Sequence, residues 1–321
     1  MAKKIEIRTT GTPAVLRVVE TEVGLPGAGQ VRLVQTAIGI NYVDVMVRKG
    51  LYPMRLPATP GFEAAGVVDA VGPGVIGFAP GDRVAYFFVE GAYATASLVP
   101  AAALVRLPDD ISNEVAATFL AKGLTAWMGL YALHPLKAGE VALVLGASGS
   151  VGSILSRWAR SLGATVIGVA GSAGKLATVA AGAGHAFVAD DPALSDRIRA
   201  LAPAGVDVVY DFVGRATFPL AVASVRDGGM IATIGAASGQ ALSTGDRLEI
   251  RAVQLRGGGT PQYVRGETVV VATAQLWDAI RAGLFGDLPV ARYAFNRIAA
   301  AHEDMEARRL TGLPVLTCDN P

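Results

Sequence analysis

The chain has 321 residues, 52% of them apolar and 17% charged, and a net charge of +1. That composition excludes an extended disordered chain and offers no electrostatic basis for gripping nucleic acid or an anionic membrane surface, while the length allows two domains with separate cores. A lone cysteine, Cys318, excludes an intrachain disulfide and a multi-thiolate zinc site and reads as a tail residue without a role. His134, His185 and His302 are scattered without metal-ligand spacing and read as surface or helix-end residues. The opening MAKKIEIR lacks the apolar core of a signal peptide. No uninterrupted apolar run approaches the ~20 residues of a membrane span. The expected compartment is the cytoplasm.

Up to about residue 119, apolar runs at 30–38, 66–71, 82–88 and 93–99 are punctuated by Gly, Pro and Asp, which predicts antiparallel strands of a distorted barrel. Asp44 and Arg48, at i and i+4, read as a surface ion pair. A helix is expected over 112–133, started by Ser112. From about residue 137 the rhythm becomes strand–helix alternation. The apolar run 141–145 ends at Gly146, Gly149 and Gly152, and the helix that follows places Val151, Ile154, Leu155, Trp158, Ala159 and Leu162 on one face, with Arg157 and Arg160 outward. Glycines so spaced permit a tight turn and let a pyrophosphate approach backbone N–H groups at a helix N-terminus. The next strand, 165–170, runs into Gly171, Ser172, Ala173, Gly174 and Lys175 with no carboxylate. An NAD site usually offers an acid there to the ribose hydroxyl, whereas a lysine and a serine suit a 2′-phosphate, so NADP(H) is favoured. Strands at 186–189, 206–212 and 230–234, alternating with helices at 175–181, 193–201 and 216–225, complete a doubly wound parallel sheet. Helices at 267–282 and 298–309 precede a last strand, 313–316, expected to return to the first domain. The expected division is 1–121 with 258–321 around a nucleotide domain, 122–257.

Several segments in this order carry a resemblance: NYVDVMVRKGLYP (41–53), GFEAAGVV (61–68), GDRV (81–84), GAYATAS (91–97), KGLTAW (122–127), GASGSVG (146–152), YDFVG (210–214) and AHEDMEARR (301–309). Together they resemble the medium-chain dehydrogenase/reductase superfamily and, within it, the zinc-free quinone oxidoreductase (ζ-crystallin-like) branch. The resemblance implies an α/β fold in which a Rossmann sheet is inserted into a GroES-like distorted β-barrel catalytic domain. Asn41 stands where zinc relatives have a cysteine and Phe62 where they have a histidine, leaving Glu63 alone, so no metal is expected. By the same resemblance Asn41 faces the nicotinamide, and Thr125 bonds near its ribose or carboxamide. Ser148, Gly149, Ser150 and Val151 wrap the pyrophosphate; Gly171, Ser172 and Lys175 meet the 2′-phosphate; Gly235 and Ala236 pass beside the nicotinamide ribose. Arg308, or neighbouring Arg309, matches a family arginine near that phosphate. Two departures stand out: Ala189, followed by Asp190 and Asp191, replaces a family tyrosine, and Thr260 replaces an arginine before Pro261. The first weakens NADP discrimination by about 1–2 kcal/mol if one hydrogen bond is lost. A homodimer through the sheet edge near 252–255 is also implied.

Without a Lewis acid, acceptors that delocalise incoming charge are the fitting substrates. The expected activity is NADPH-dependent reduction of quinones, with reduction of enone, alkenal or enoyl-thioester double bonds as the alternative. A third reading, an NADPH-binding structural or RNA-associated protein, runs against the near-zero charge. Tyr52 is the candidate proton donor or substrate contact, and Asn41 a candidate donor to a developing oxyanion. Phe62, Phe87, Phe88 and Tyr93 either line an acceptor pocket or fill the core.

Overall fold

The alternating runs become strands and helices close to where the pattern puts them in the computed structural model, which describes residues 1–240 and 246–318. The first part contains β1 (Ala2–Glu6), β2 (Arg17–Thr21), β3 (Gln30–Gly39), α1 (Tyr42–Arg48), β4 (Glu63–Val71), β5 (Arg83–Phe87), β6 (Ala96–Pro100) and β7 (Val105–Arg106). Next, α2 (Asn113–Trp127) starts where the Ser112 hydroxyl accepts the Val115 N–H at 3.1 Å and passes into a wide π turn (Met128–Leu133). Then come β8 (Val141–Leu145), α3 (Ser150–Ser161), β9 (Thr165–Ala170), α4 (Leu176–Gly182), β10 (His185–Val188), α5 (Leu194–Leu201) and β11 (Val206–Asp211). These are followed by α6 (Phe218–Ser224), β12 (Val225–Thr233), α7 (Asp246–Ile250) and β13 (Gln254–Gly257). The chain continues through α8 (Thr260–Tyr263), α9 (Glu267–Arg281), β14 (Val290–Ala294), α10 (Ile298–Glu306) and β15 (Leu313–Thr317).

Two compact units form, residues 1–121 with 288–321 and residues 122–287. In the second, six parallel strands lie in the order β10-β9-β8-β11-β12-β13, the arrangement of a doubly wound Rossmann sheet. Its central strands β8 and β9 are apolar because helices cover them; Leu143, Leu145, Ile167 and Val169, with Val209 and Ile231 from β11 and β12, form the core. In the first unit, strands run β14-β15-β3-β4-β5-β7, with β6 also paired to β3, and β1 and β2 form a separate ribbon. The last strand returns to β3 as expected, Leu316 opposite Ile38. Cys318 continues that pairing, its N–H donating to Thr36 at 3.0 Å, and is a core residue rather than a loose tail.

The second junction falls at 287/288, not at 257/258. Residues 258–287 stay with the nucleotide unit because α9 packs on it. Leu276 occupies the space a side chain at Gly123 would need, and Trp127 Nε1 donates to Gln275 at 2.5 Å. The Phe285 ring stands edge-on to Trp158, centroids 5.9 Å apart. Arg157, expected to point outward, is buried and grips Asp287 with two bonds of 2.7 and 2.5 Å. The bidentate fork explains why a buried guanidinium is tolerated on the inner face of α3.

Asp44 and Arg48 also differ from their expected place: both are fully buried. Helix α1 lays its polar positions against α10, where Arg48 pairs with Glu306 and Lys49 reaches the same carboxylate at 3.0 Å. The Tyr93 hydroxyl donates to Asp44 at 2.8 Å and lies 3.0 Å from His302 Nε2. Because its one proton goes to Asp44, the tyrosine oxygen accepts from Nε2–H of His302. That tautomer leaves Nδ1 a bare lone pair, and no partner faces it among the described residues. Burial, assisted by the charge of Arg48, holds the His302 pKa down at about 3. His302 is therefore a neutral core residue, not a surface one.

A depressed histidine pKa has a fixed sign. The unfolded chain takes up the proton near pH 6.5 and the folded one only near pH 3, so stability is lost as pH falls through that window. The unfolding free energy should fall there by up to about 1.4 kcal/mol per pH unit from this group. His302→Gln should remove that component, a difference read by urea titration of both proteins at about pH 7 and about pH 5.

Candidate active site

The glycine turn after β8 is built by close approach. Gly146 has a left-handed backbone (φ +82°), and a Cβ on Gly152 would lie 2.4 Å from the Gly146 carbonyl oxygen. Only glycine lets the first turn of α3 sit so near the strand end. Gly149 is the N-cap of this twelve-residue helix, and the Ala147 N–H bonds Val169 at 3.1 Å, tying the turn to β9. The first N–H groups of the helix, from Ser150 onward, have no intrahelical acceptor, and the helix dipole adds positive potential. Ser148 is half-buried and Gly149 exposed beside them. This is an anion cradle.

Beyond β9, Gly171 and Ser172 are exposed and Lys175 is half-buried at the end of a short 3₁₀ turn. The Ala189 N–H bonds Ala170 at 2.9 Å, so the loop after β10 borders this segment. Of its two carboxylates, Asp191 is committed elsewhere: it pairs with Arg197 at 2.7 Å and accepts the Ala193 N–H at 2.9 Å. The bond to Arg197 holds that carboxyl below the usual range. Asp190 remains exposed.

At the ends of β11 and β12, Asp211 joins two turns. Its Oδ1 accepts the N–H groups of Val213 and Gly214 at 2.8 and 3.0 Å and the Thr217 hydroxyl at 2.8 Å. Its backbone carbonyl accepts from Ile234 and Gly235 at 2.9 and 3.0 Å. Burial pushes this carboxyl up, opposed by those donors, and Oδ2 has no partner among the described residues. In the sequence Asp211 to Gly214 read only as small residues at a strand end that leave room for a flat ligand, without this capping role. The signal lay in YDFVG, an acid ending a strand with glycine three residues on, the pattern of a side chain capping its own turn. Gly235 and Ala236 are half-buried in the turn it steadies. On α2, the Thr125 hydroxyl lies 2.8 Å from that of Thr260, so the residue replacing the family arginine is a buried partner of Thr125.

In the first unit, Asn41 is the N-cap of α1. Its N–H donates to Asp44 at 2.7 Å and its side-chain Nδ2 to Glu63 at 2.9 Å. Glu63 is fully buried and also accepts the Ala121 N–H at 2.6 Å. Gly39 lies opposite Glu63 in the β3–β4 register, and a Cβ there would come within 2.0 Å of the carboxylate. Tyr52 is 50% exposed, whereas Tyr93 is fully buried in the core network described above. Phe62 and Phe87 are buried, but Phe88 is 36% exposed, with a left-handed backbone (φ +55°) and its ring edge-on to Phe87 at 5.8 Å. That conformation costs an aromatic residue roughly 1–2 kcal/mol. At the end of α10, Arg309 is tied to Asp304 at 2.9 Å, while Arg308 is exposed, left-handed (φ +56°) and without an ion-pair partner among the described residues. Among the described residues, no group of three or more His, Cys, Asp or Glu side chains could hold a metal ion.

The structure thus gathers 148–151, 171–175 and 235–236 at the carboxyl ends of β8, β9 and β12, and pairs Asn41 with Glu63 in the other unit. Gly39→Ala should destabilise the protein by roughly 3 kcal/mol through overpacking onto Glu63. Denaturant unfolding measures this, and a loss below about 0.5 kcal/mol would mean that the carboxylate can move aside.

Comparison with known proteins agrees with this fold. Residues 27–109 match a family model described as alcohol dehydrogenase GroES-like domain, and residues 150–263 one described as zinc-binding dehydrogenase. A quinone oxidoreductase of Salmonella typhimurium is 36% identical over 98% of this chain and 99% of its own length. A 2-haloacrylate reductase of a Burkholderia species is 35% identical over 92% and 93%. The crystal structure of Escherichia coli quinone oxidoreductase complexed with NADPH superposes with a TM-score of 0.94 at 33% identity, covering 98% of this chain and 99% of that one. With full-length identity at this level and the same two-part architecture, the chain belongs to the quinone oxidoreductase family of the medium-chain dehydrogenases/reductases.

Proposed function

We propose that this chain is an NADPH-dependent oxidoreductase that reduces quinone-type conjugated acceptors without a metal ion. The observation that carries the reading is the donor set at Asn41: an amide held by a buried carboxylate, where reduction at an isolated carbonyl would call for a Lewis acid. A carboxylate only accepts, so Glu63 fixes which end of the amide faces it and leaves one N–H of Nδ2 for a developing oxyanion. A quinone spreads its charge over the ring, and one such donor then suffices. Tyr52, half of whose surface is exposed, is the proposed substrate contact or proton donor.

Bound NADPH supplies the hydride. The cradle at Gly146–Gly152 fits a pyrophosphate, since Gly152, where a Cβ would strike the Gly146 carbonyl, lets the first N–H groups of α3 lie at the strand end, with Ser148, Gly149, Ser150 and Val151 as the holding residues. Gly171, Ser172 and Lys175, with Arg308, would take the 2′-phosphate, and Thr125, Gly235 and Ala236 the nicotinamide-side ribose. The commitment of Arg309 to Asp304 favours Arg308 for this role. The full-length similarity to quinone oxidoreductases, one of them solved with NADPH, supports the same reading. The 2-haloacrylate reductase relative favours a second one, reduction of an activated carbon–carbon double bond on the same scaffold.

No helix among the described residues is long and apolar enough to cross a membrane. A single cysteine suits the reducing cytoplasm, the compartment we propose. Strand β13 is the sheet edge, entered through Ala252 in a left-handed conformation (φ +51°), with Gln254, Leu255 and Arg256 exposed; a second copy pairing there is the proposed homodimer.

Lys175→Ala should weaken NADPH about tenfold, the worth of one charge-assisted bond, and leave NADH unchanged. Fluorescence titration of both coenzymes checks this, and equal weakening refutes the phosphate assignment. NADPH oxidation with 1,4-benzoquinone, 9,10-phenanthrenequinone, an alkenal and crotonyl-CoA decides between the two reductase readings.

A further inference from the structure

We infer that Phe88 is the residue that selects planar, multi-ring acceptors over single-ring ones. The inference rests on the quinone-reductase reading and names the substrate class within it. Gly39, Glu63 and Phe87 face one another across β3, β4 and β5, so Phe88 leaves the sheet at the end that carries Glu63 and, through it, the Asn41 amide. The Val89 N–H bonds Phe62 at 3.4 Å, keeping the chain on either side of Phe88 against that strand end. Phe62 and Phe87 do the packing here and are buried; Phe88 leaves a third of its surface to solvent. A ring that filled the core would be covered, and a residue that only turned the chain would be glycine or asparagine at φ +55°. Exposure and strain together are unfavourable for folding, and the edge-on contact with Phe87 fixes the ring where both are incurred. A flat apolar ring one residue beyond the strand position that pairs with Glu63, the acid that holds the amide, suits a fused-ring dione: the donor would meet the oxygen and the ring would stack on the carbocycle.

The test compares 9,10-phenanthrenequinone with 1,4-benzoquinone as acceptors for wild type, Phe88→Gly and Phe88→Tyr. Phe88→Gly should lower the ratio of kcat/KM values, fused-ring over single-ring, about tenfold, through KM rather than kcat, as one lost stacking contact requires. Phe88→Tyr should keep the ratio within roughly twofold, since the ring remains. The thermal midpoint of Phe88→Gly should stay within about 3 °C of wild type, because glycine relieves the left-handed strain. An unchanged ratio, equal losses on both acceptors, or a loss confined to kcat overturns the inference. If wild type turns over neither quinone, the reductase reading fails with it, and that result is distinct from the others.

Discussion

Asn41 is held at both ends by buried carboxylates, Asp44 taking its backbone N–H and Glu63 its side-chain amide. A carboxylate deprived of water must find donors or take up a proton, so each acid imposes a geometry on its surroundings. Glu63 recruits the Ala121 N–H and forbids a side chain at Gly39; Asp44 recruits Tyr93, which in turn fixes the tautomer of His302 on α10. The polar interior around α1 follows from satisfying these two groups, while Gln35 organises a separate network with Tyr86 and Ser97. The candidate catalytic amide is thereby pre-oriented before any ligand arrives.

The nucleotide unit reaches its site by another route. Its cradle consists of backbone, and the exclusion of side chains at Gly152 does what hydrogen bonds do around Asn41. Asp211 belongs to both styles, a buried acid whose donors are the N–H groups of its own turn. One unit orders a polar side chain and the other clears space around amides, which suits a small electrophile and a large anionic dinucleotide respectively.

Features set by short-range rules were legible in the sequence. The strands at 141–145 and 165–170, the three-residue glycine spacing and the Ser112 cap depend on neighbours a few residues away, and the structure has them in place. The errors share one cause: the deciding partner lies far along the chain. Arg157 looked solvent-facing because Asp287 could not be seen as its partner; Asp44 and Arg48 looked like a surface pair because Tyr93 and Glu306 were out of view. The boundary at 257 failed likewise, since α9 joins its unit through Gly123, Trp127 and Trp158. The resemblance points to Asn41, but its bond to Glu63 follows only from the fold.

The pairing of Asp191 with Arg197 bears on how coenzyme preference is tuned. The loop after β10 brings two acids up to the segment assigned to the phosphate, and a guanidinium on α5 neutralises one of them. If the 2′-phosphate sits at Ser172 and Lys175 as proposed, preference for the phosphorylated dinucleotide is set partly by an arginine on the outer surface of a helix. Removing that arginine would unmask a negative charge and tilt the balance toward NADH. On that assignment a substitution on the outside of α5 changes the coenzyme balance without altering the glycine turn.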